Sequence, residues 1–389
     1  MRSVFKKYIL LLFLLSSLIA CIKQYAPPAV VSANNNYLVV DGFINAGPNE
    51  SSSFILSRTR NLGDTSTVDV PELNATISIV SQLTGATFPL TDSNNTGVYN
   101  SASLNLNTAD EYQLKINTTN GDHYLSDFVP VKISAPIDSV TWQQDNNNNI
   151  DIFVNTHDPA NSSIYYKWDF VETWEHDAVI AAYFLNINGN LMLSSLATPE
   201  QQIDSCWSSA ESNTLITGTS AALAQDVIRE QPVTTILQND PKLAIRYSVN
   251  VRQIPLTLAA FNYWSLIEKN SQQLGTLFNP QPSQLPSNIH SSVNPNEAVI
   301  GYISAASPQE NRLFISSAQI SNWNAPPPLS ITTSCPMIDF PYVFPIYNYP
   351  DTTYAPITTI SNANLVIVTK KECVDCAAQG GTTTRPSFW

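Results

Sequence analysis

Charge is scarce in this chain: only 13% of its 389 residues are Asp, Glu, Lys or Arg, and histidines number four. Positive charge is scarcest, with 18 Lys and Arg against 31 Asp and Glu and a net charge of −13. That balance argues against the basic surface that nucleic acid or an anionic lipid headgroup requires. Beyond the first 21 residues no apolar run approaches the roughly 20 residues of a membrane-spanning helix. Enzyme motifs are missing too. There is no Gly-x-Ser-x-Gly elbow, His-Glu-x-x-His pair, P-loop or Gly-x-Gly-x-x-Gly run, so no hydrolase, zinc peptidase or nucleotide site is nominated. His123, His157, His176 and His290 fall in no metal-ligand spacing. Glu172 and His176 are four apart, but in a segment of strand character that places them about 13 Å apart on one face, a surface pair. The expectation is a protein that is not an enzyme and carries no cofactor.

What the chain does have is Asn, Ser, Thr and aromatic residues, with 26 Pro, 16 Tyr and 7 Trp. This composition favours strands joined by turns over long helices. From Tyr37 to about Val129, short β-branched and apolar runs recur between turn signals, and Asn120-Gly121 marks a hairpin. The expected fold is mainly β: an immunoglobulin-like or transthyretin-like sandwich over 37–133, then a second β-sandwich-like domain over 134–389. Pro130 to Pro136 reads as the linker, and about 186–235 as a Ser-rich insertion. One amphipathic helix is expected over 255–274, with Pro255 in its first turn, Gly275 just past its end and a stripe of Ala260, Tyr263, Trp264 and Ile267.

The first residues specify a location. Arg2, Lys6 and Lys7 precede an apolar run from Tyr8 to Ala20, broken only by Ser16 and Ser17, that ends in Leu18-Ile19-Ala20-Cys21. This is the layout of a secretory signal peptide, residues 1–20. The ending resembles the lipobox of bacterial lipoproteins, in which Cys21 receives a diacylglycerol and becomes the acylated amino terminus. An ordinary signal peptide with an incidental cysteine is the alternative. Two or three acyl chains suffice for stable anchoring. Losing 1–20 removes three basic residues and no acidic one, which moves the net charge from −13 to −16. Residues 21–36, with Pro27-Pro28 and an Asn run, read as the lipidated tether.

Three groups of residues are candidates for bonds or binding. Cys206, Cys335, Cys373 and Cys376 form an even set in an oxidising compartment, and disulfides in any of three pairings are expected. Half a zinc site or a redox motif at Cys373-x-x-Cys376 is the alternative. At least one bridge should tie the C-terminal tail to the body. Asp145, Asn147, Asn149 and Asp151 alternate as oxygen ligands do in a calcium loop, but Ile150 stands where such a loop needs Gly, so a hairpin turn competes with a weak calcium site. Trp323, Tyr342, Phe344, Tyr347, Tyr349 and Tyr354 cluster in and beside a Pro-rich stretch. They form either a sugar- or peptide-binding platform or rings folded back over the second domain.

Two blocks carry a family resemblance. Phe261-Asn-Tyr-Trp through Gln284, with Gly301-Tyr302, and Cys373-Val-Asp-Cys through Phe388-Trp389 resemble the DUF4249 family, as does the opening Tyr37-Leu-Val-Val-Asp-Gly. The resemblance implies a Bacteroidota lipoprotein anchored in the outer membrane, with a TonB-dependent receptor as partner and no catalytic residues; it favours the cell surface, whereas Ile22-Lys23-Gln24-Tyr25, without the acidic residues of a surface-export signal, leaves the periplasmic face as the alternative. It implies an accessory role in substrate capture or uptake. A stand-alone adhesin or glycan-binding module, or an envelope-assembly factor, is the alternative. It also suggests that Phe388-Trp389 plug the tail into the core.

Overall fold

The computed structural model describes residues 36–60, 70–187, 190–198, 202–272, 286–325, 335–341, 354–360 and 365–389. The signal segment, Cys21, the tether up to residue 35, and Tyr342, Phe344, Tyr347 and Tyr349 lie outside them. The described chain is mainly β.

Alternation of inward apolar and outward polar residues builds the first unit. Its strands are β1 (Leu38–Asn45), β2 (Ser53–Arg58), β3 (Val70–Pro71), β4 (Thr76–Ser81), β5 (Thr87–Thr91), β6 (Val98–Ser101), β7 (Glu111–Asn117), β8 (His123–Ser126) and β9 (Val129–Ile133). The Asn120-Gly121 hairpin forms as expected, with Asn117 opposite His123 and Gly121 at φ 90°.

The second stretch begins with the hairpin of β10 (Ile137–Gln144) and β11 (Ile150–Asp158), followed by β12 (Tyr165–Asp177). The region expected to be an insertion is largely strand: β13 (Phe184–Ile187), β14 (Asn190–Leu193), β15 (Ser205–Glu211), β16 (Ile216–Thr219) and the long β17 (Asp226–Ile236). β17 escapes a propensity reading because it carries Pro232, which sits at a register shift against β11, where a missing N–H is tolerated. After β18 (Arg246–Pro255) comes helix α1 (Leu258–Gln272). The helix starts three residues later than expected. Pro255 ends the strand, and the Thr257 hydroxyl accepts the Ala260 N–H at 3.2 Å, capping the first turn. β19 (Ile289–Ser291), β20 (Ala305–Ser307) and β21 (Gln309–Ser316) follow, and the tail holds β22 (Ile338–Pro341), β23 (Tyr354–Ile360), β24 (Leu365–Lys370) and the short α2 (Lys371–Val374).

Hydrogen bonding in the first unit closes on itself. The order β7-β4-β5-β6-β2-β1-β20-β9 returns to β7 through Glu111 opposite Pro130 and Tyr112 opposite Val129. Eight strands therefore form one hydrogen-bonded ring around a core that includes Leu38, Phe54, Ile79, Tyr99 and Leu114. Closure removes sheet edges that would otherwise invite pairing with other chains. The ring also needs β20, and β19 adds to β8, so residues from 289 to 307 belong to the first unit. The expected boundary at 133/134 cuts the sequence between strands but does not separate the units. Where the chain returns, Gly301 lies against β1 at φ 139°, and a Cβ there would sit 2.2 Å from the Val40 carbonyl oxygen. Only glycine allows that approach.

The second unit packs a three-stranded sheet (β10-β11-β17) and a five-stranded one (β15 and β16 on β12, then β18 and β21) around Ile152, Val154, Tyr166, Trp168 and Val251. The join is rigid. Ser134 and Ala135, within the expected linker, are buried, and the fully buried Gln253 donates to Ser134 Oγ, Ala135 O and Thr156 Oγ1 while accepting from Trp168 Nε1. The tail forms the sheet β22-β24-β23 and is held by Cys206–Cys376 and Cys335–Cys373. Both cysteines of the Cys-x-x-Cys pair therefore bridge to distant partners. The last residues do not plug the core. Trp389 meets Phe314 and Trp207 edge to face, with Arg246 beside it, on strands of the five-stranded sheet, and Phe388 is exposed.

Candidate ligand-binding cleft

Strand alternation fixes what faces the space between the two units. On β12 Tyr166, Trp168 and Phe170 enter the core, so Lys167, Asp169 and Val171 point away from it. On β18 Val249 and Val251 are core residues, and Asn250, Arg252 and Ile254 share the outer face. On β1 Val40 and Ile44 are buried inside the ring, leaving Asp41, Phe43 and Asn45 outside. These outward rows meet across a cleft of ≈ 690 Å³, within the range of small-molecule sites. Trp264 of α1 and Tyr302 close one end, next to an apolar seam of Ile254, Leu256, Ala260 and Ala306 that holds the units together.

The floor is charged and half-buried. Arg252 donates to both carboxylate oxygens of Asp169, at 2.8 and 2.9 Å, and its guanidinium lies 5.5 Å from the Phe43 ring centroid. Burial alone would lower the Arg252 pKa, but the Asp169 bonds outweigh it and the group is raised. Lys167 differs. Its Nζ sits 4.2 Å from the Trp264 ring centroid, and among the described residues it makes no hydrogen bond and no ion pair. Desolvation pulls its pKa down against the opposing fields of Asp169 and Asp41. The rim is acidic and exposed: Asp41, Glu211 and Glu310. Glu310 accepts from Asn250 Nδ2 at 2.7 Å.

The residues singled out from sequence are placed elsewhere. Trp323 packs against the second core, and Tyr354 begins β23 in the tail sheet, so the two described members of the aromatic group do not meet. Asp145 caps its own turn, accepting from the backbone N–H of Asn147 and Asn149 and from Asn149 Nδ2. Burial would raise its pKa, but these bonds lower it. Asp151 instead accepts from Thr235, so the four side chains do not converge and the hairpin reading describes the segment. Glu172 and His176 are not a surface pair. Glu172 is buried and accepts from Tyr247 and Lys242, both at 2.7 Å, whereas His176 bonds Ser208. The cleft residues were missed because Trp264 read as part of the core-facing stripe of the helix. The signal was charged or polar residues on alternate positions, Lys167-x-Asp169 and Asn250-x-Arg252, outward from apolar strands.

The fold and site define a mainly β protein of two interlocked units with a cleft between them. The chain belongs to the family described as "Domain of unknown function (DUF4249)", whose model matches residues 23–312. No curated protein matches it. Among solved structures it is similar to a two fibronectin type III domain segment from chicken tenascin, at 11% identity and a TM-score of 0.16, covering 56% of this chain and 90% of that one.

Proposed function

We propose that this protein is a non-enzymatic lipoprotein, anchored in the outer membrane through Cys21, that captures a small ligand and passes it to a TonB-dependent receptor. The observation that carries the reading is the cleft: a site of ligand size, walled by both units, whose join is buried and hydrogen-bonded at Gln253. The lipobox and the tether after it support the anchoring, and the family supports the envelope setting. In this reading the first ring is a flattened immunoglobulin- or transthyretin-like sandwich with hydrogen-bonded corners, and the second unit is a two-sheet sandwich. Both serve to position the cleft walls. Pull-down of the lipidated protein from detergent extracts tests the partnership. Stoichiometric recovery of a large β-barrel receptor supports it, and recovery of the lipoprotein alone counts against it. Protease shaving of intact cells tests the cell-surface placement: a protected protein lies on the periplasmic side.

The alternative, a stand-alone glycan-binding module, draws on the aromatic rings in the cleft. Those rings are partly occupied, because Lys167 covers a face of Trp264, Arg252 lies over Phe43, and Tyr263 packs 5.2 Å from Tyr302. Sugar stacking needs open faces, so this reading is the weaker one.

A further inference from the structure

We propose that the cleft binds a small zwitterion, an amino acid or short peptide, carboxylate first, with Lys167 as the anchoring group. This inference rests on the reading of the cleft as a ligand site and names the ligand's chemistry. The argument is the gradient of charge from floor to rim. Deep in the cleft, Lys167 is a cation whose three N–H bonds find no protein acceptor among the described residues, while its neighbour Asp169 is already engaged bidentately by Arg252. A desolvated ammonium without an acceptor is costly unless a ligand provides one, and a carboxylate makes the stronger, charge-assisted bond. Toward solvent the sign reverses, with Asp41, Glu211 and Glu310 exposed around the mouth.

That reversal selects among anions. A polyanion would place charge against the three rim carboxylates and be repelled. A ligand with one carboxylate and a cationic far end satisfies floor and rim together. A neutral polyhydroxyl ligand would offer the Lys167 ammonium no charged acceptor, and it would find one face of Trp264 already covered. The apolar part of the ligand would lie along Ile254, Leu256 and Ile55. Ile55 faces outward from β2 and is 47% exposed, so its side chain is open to a ligand in the cleft.

The test uses the full-length protein in detergent and four probes in calorimetric titrations: tri-alanine, its C-terminal amide, its N-acetyl form and maltotriose. Tri-alanine is expected to bind at least about tenfold more tightly than either blocked form, the loss expected for one charge-assisted bond. Lys167→Met should abolish the preference for the free carboxylate over the amide, and Lys167→Arg should restore part of it. Glu211→Gln, at an exposed position that leaves the fold intact, should reduce the preference for the free amine. Equal binding of tri-alanine and its amide, an unchanged preference in Lys167→Met, tighter binding of maltotriose, or no binding of tri-alanine at up to about 10 mM would each overturn the assignment. Receptor pull-down uses none of these probes, so failure here is distinct from failure of the partnership.

Discussion

Replacing Cys206 and Cys376 together by Ala should remove about 5 kcal/mol of stability. The bridge closes a loop of sequence separation 170, and the chain-entropy relation puts the loss of freedom in the unfolded state at about 17 cal/mol/K, ~5 kcal/mol at 25 °C. The inner bridge, Cys335–Cys373, closes a separation of only 38 and on the same relation contributes ~4 kcal/mol. Because the inner bridge lies within the outer loop it shortens that loop, but the dependence is logarithmic and the outer figure stays near 5 kcal/mol. Both alanines would fall in fully buried positions, which adds a small packing loss in the same direction. Urea unfolding of the oxidised protein, followed by tryptophan fluorescence and by protease cleavage of the tail, measures the difference. A loss below about 1 kcal/mol would refute the view that the bridges hold the tail sheet against the body.

Three further outcomes test the frame around the cleft. Gly301→Ala should cost about 1–3 kcal/mol, because a side chain at φ 139° must also clear the Val40 carbonyl; an unchanged melting temperature would contradict the close return of this segment. Gln253→Leu should destabilise by about 2–4 kcal/mol, since it strands Trp168 Nε1 in a buried site and removes the amide's bonds to Ser134, Ala135 and Thr156; hydrogen exchange at 134–135 should rise with it. Tyr124 and Tyr263 are pushed up to about 12, chiefly by burial, so the folded state holds protons that the unfolded chain loses near pH 10. Stability from these groups is therefore intact below pH 10 and lost as pH rises toward 12; a flat denaturation midpoint across that window would contradict the burial.

Much of the fold was legible from the sequence, and the misses share a cause. Hairpins such as β7–β8 and β10–β11 were readable because turn residues fall between alternating strands, and local sequence encodes local pairing. The closure of the ring was not: a strand is readable at 298–305, but nothing in the short Ala305-Ala306-Ser307 of β20 signals that it pairs with β1 and β9, far away in sequence. The late helix start depended on a single hydroxyl, Thr257. The disulfide partners of the Cys-x-x-Cys pair are set by the path of the tail, which brings Cys376 to Cys206 on β15 and folds Cys335 back onto Cys373, and no spacing rule contains that path. The cleft was hidden for a related reason: its walls come from strands distant in sequence, and each row of outward residues, read alone, resembles an ordinary solvated face.

Handing a ligand from the cleft to a receptor requires the receptor to lie over the cleft mouth. A photo-crosslinking residue placed at Ile55, on the exposed wall of the cleft, tests that geometry in intact cells. The account predicts a covalent adduct with a large outer-membrane β-barrel protein. Irradiation that yields only the uncrosslinked lipoprotein would contradict it.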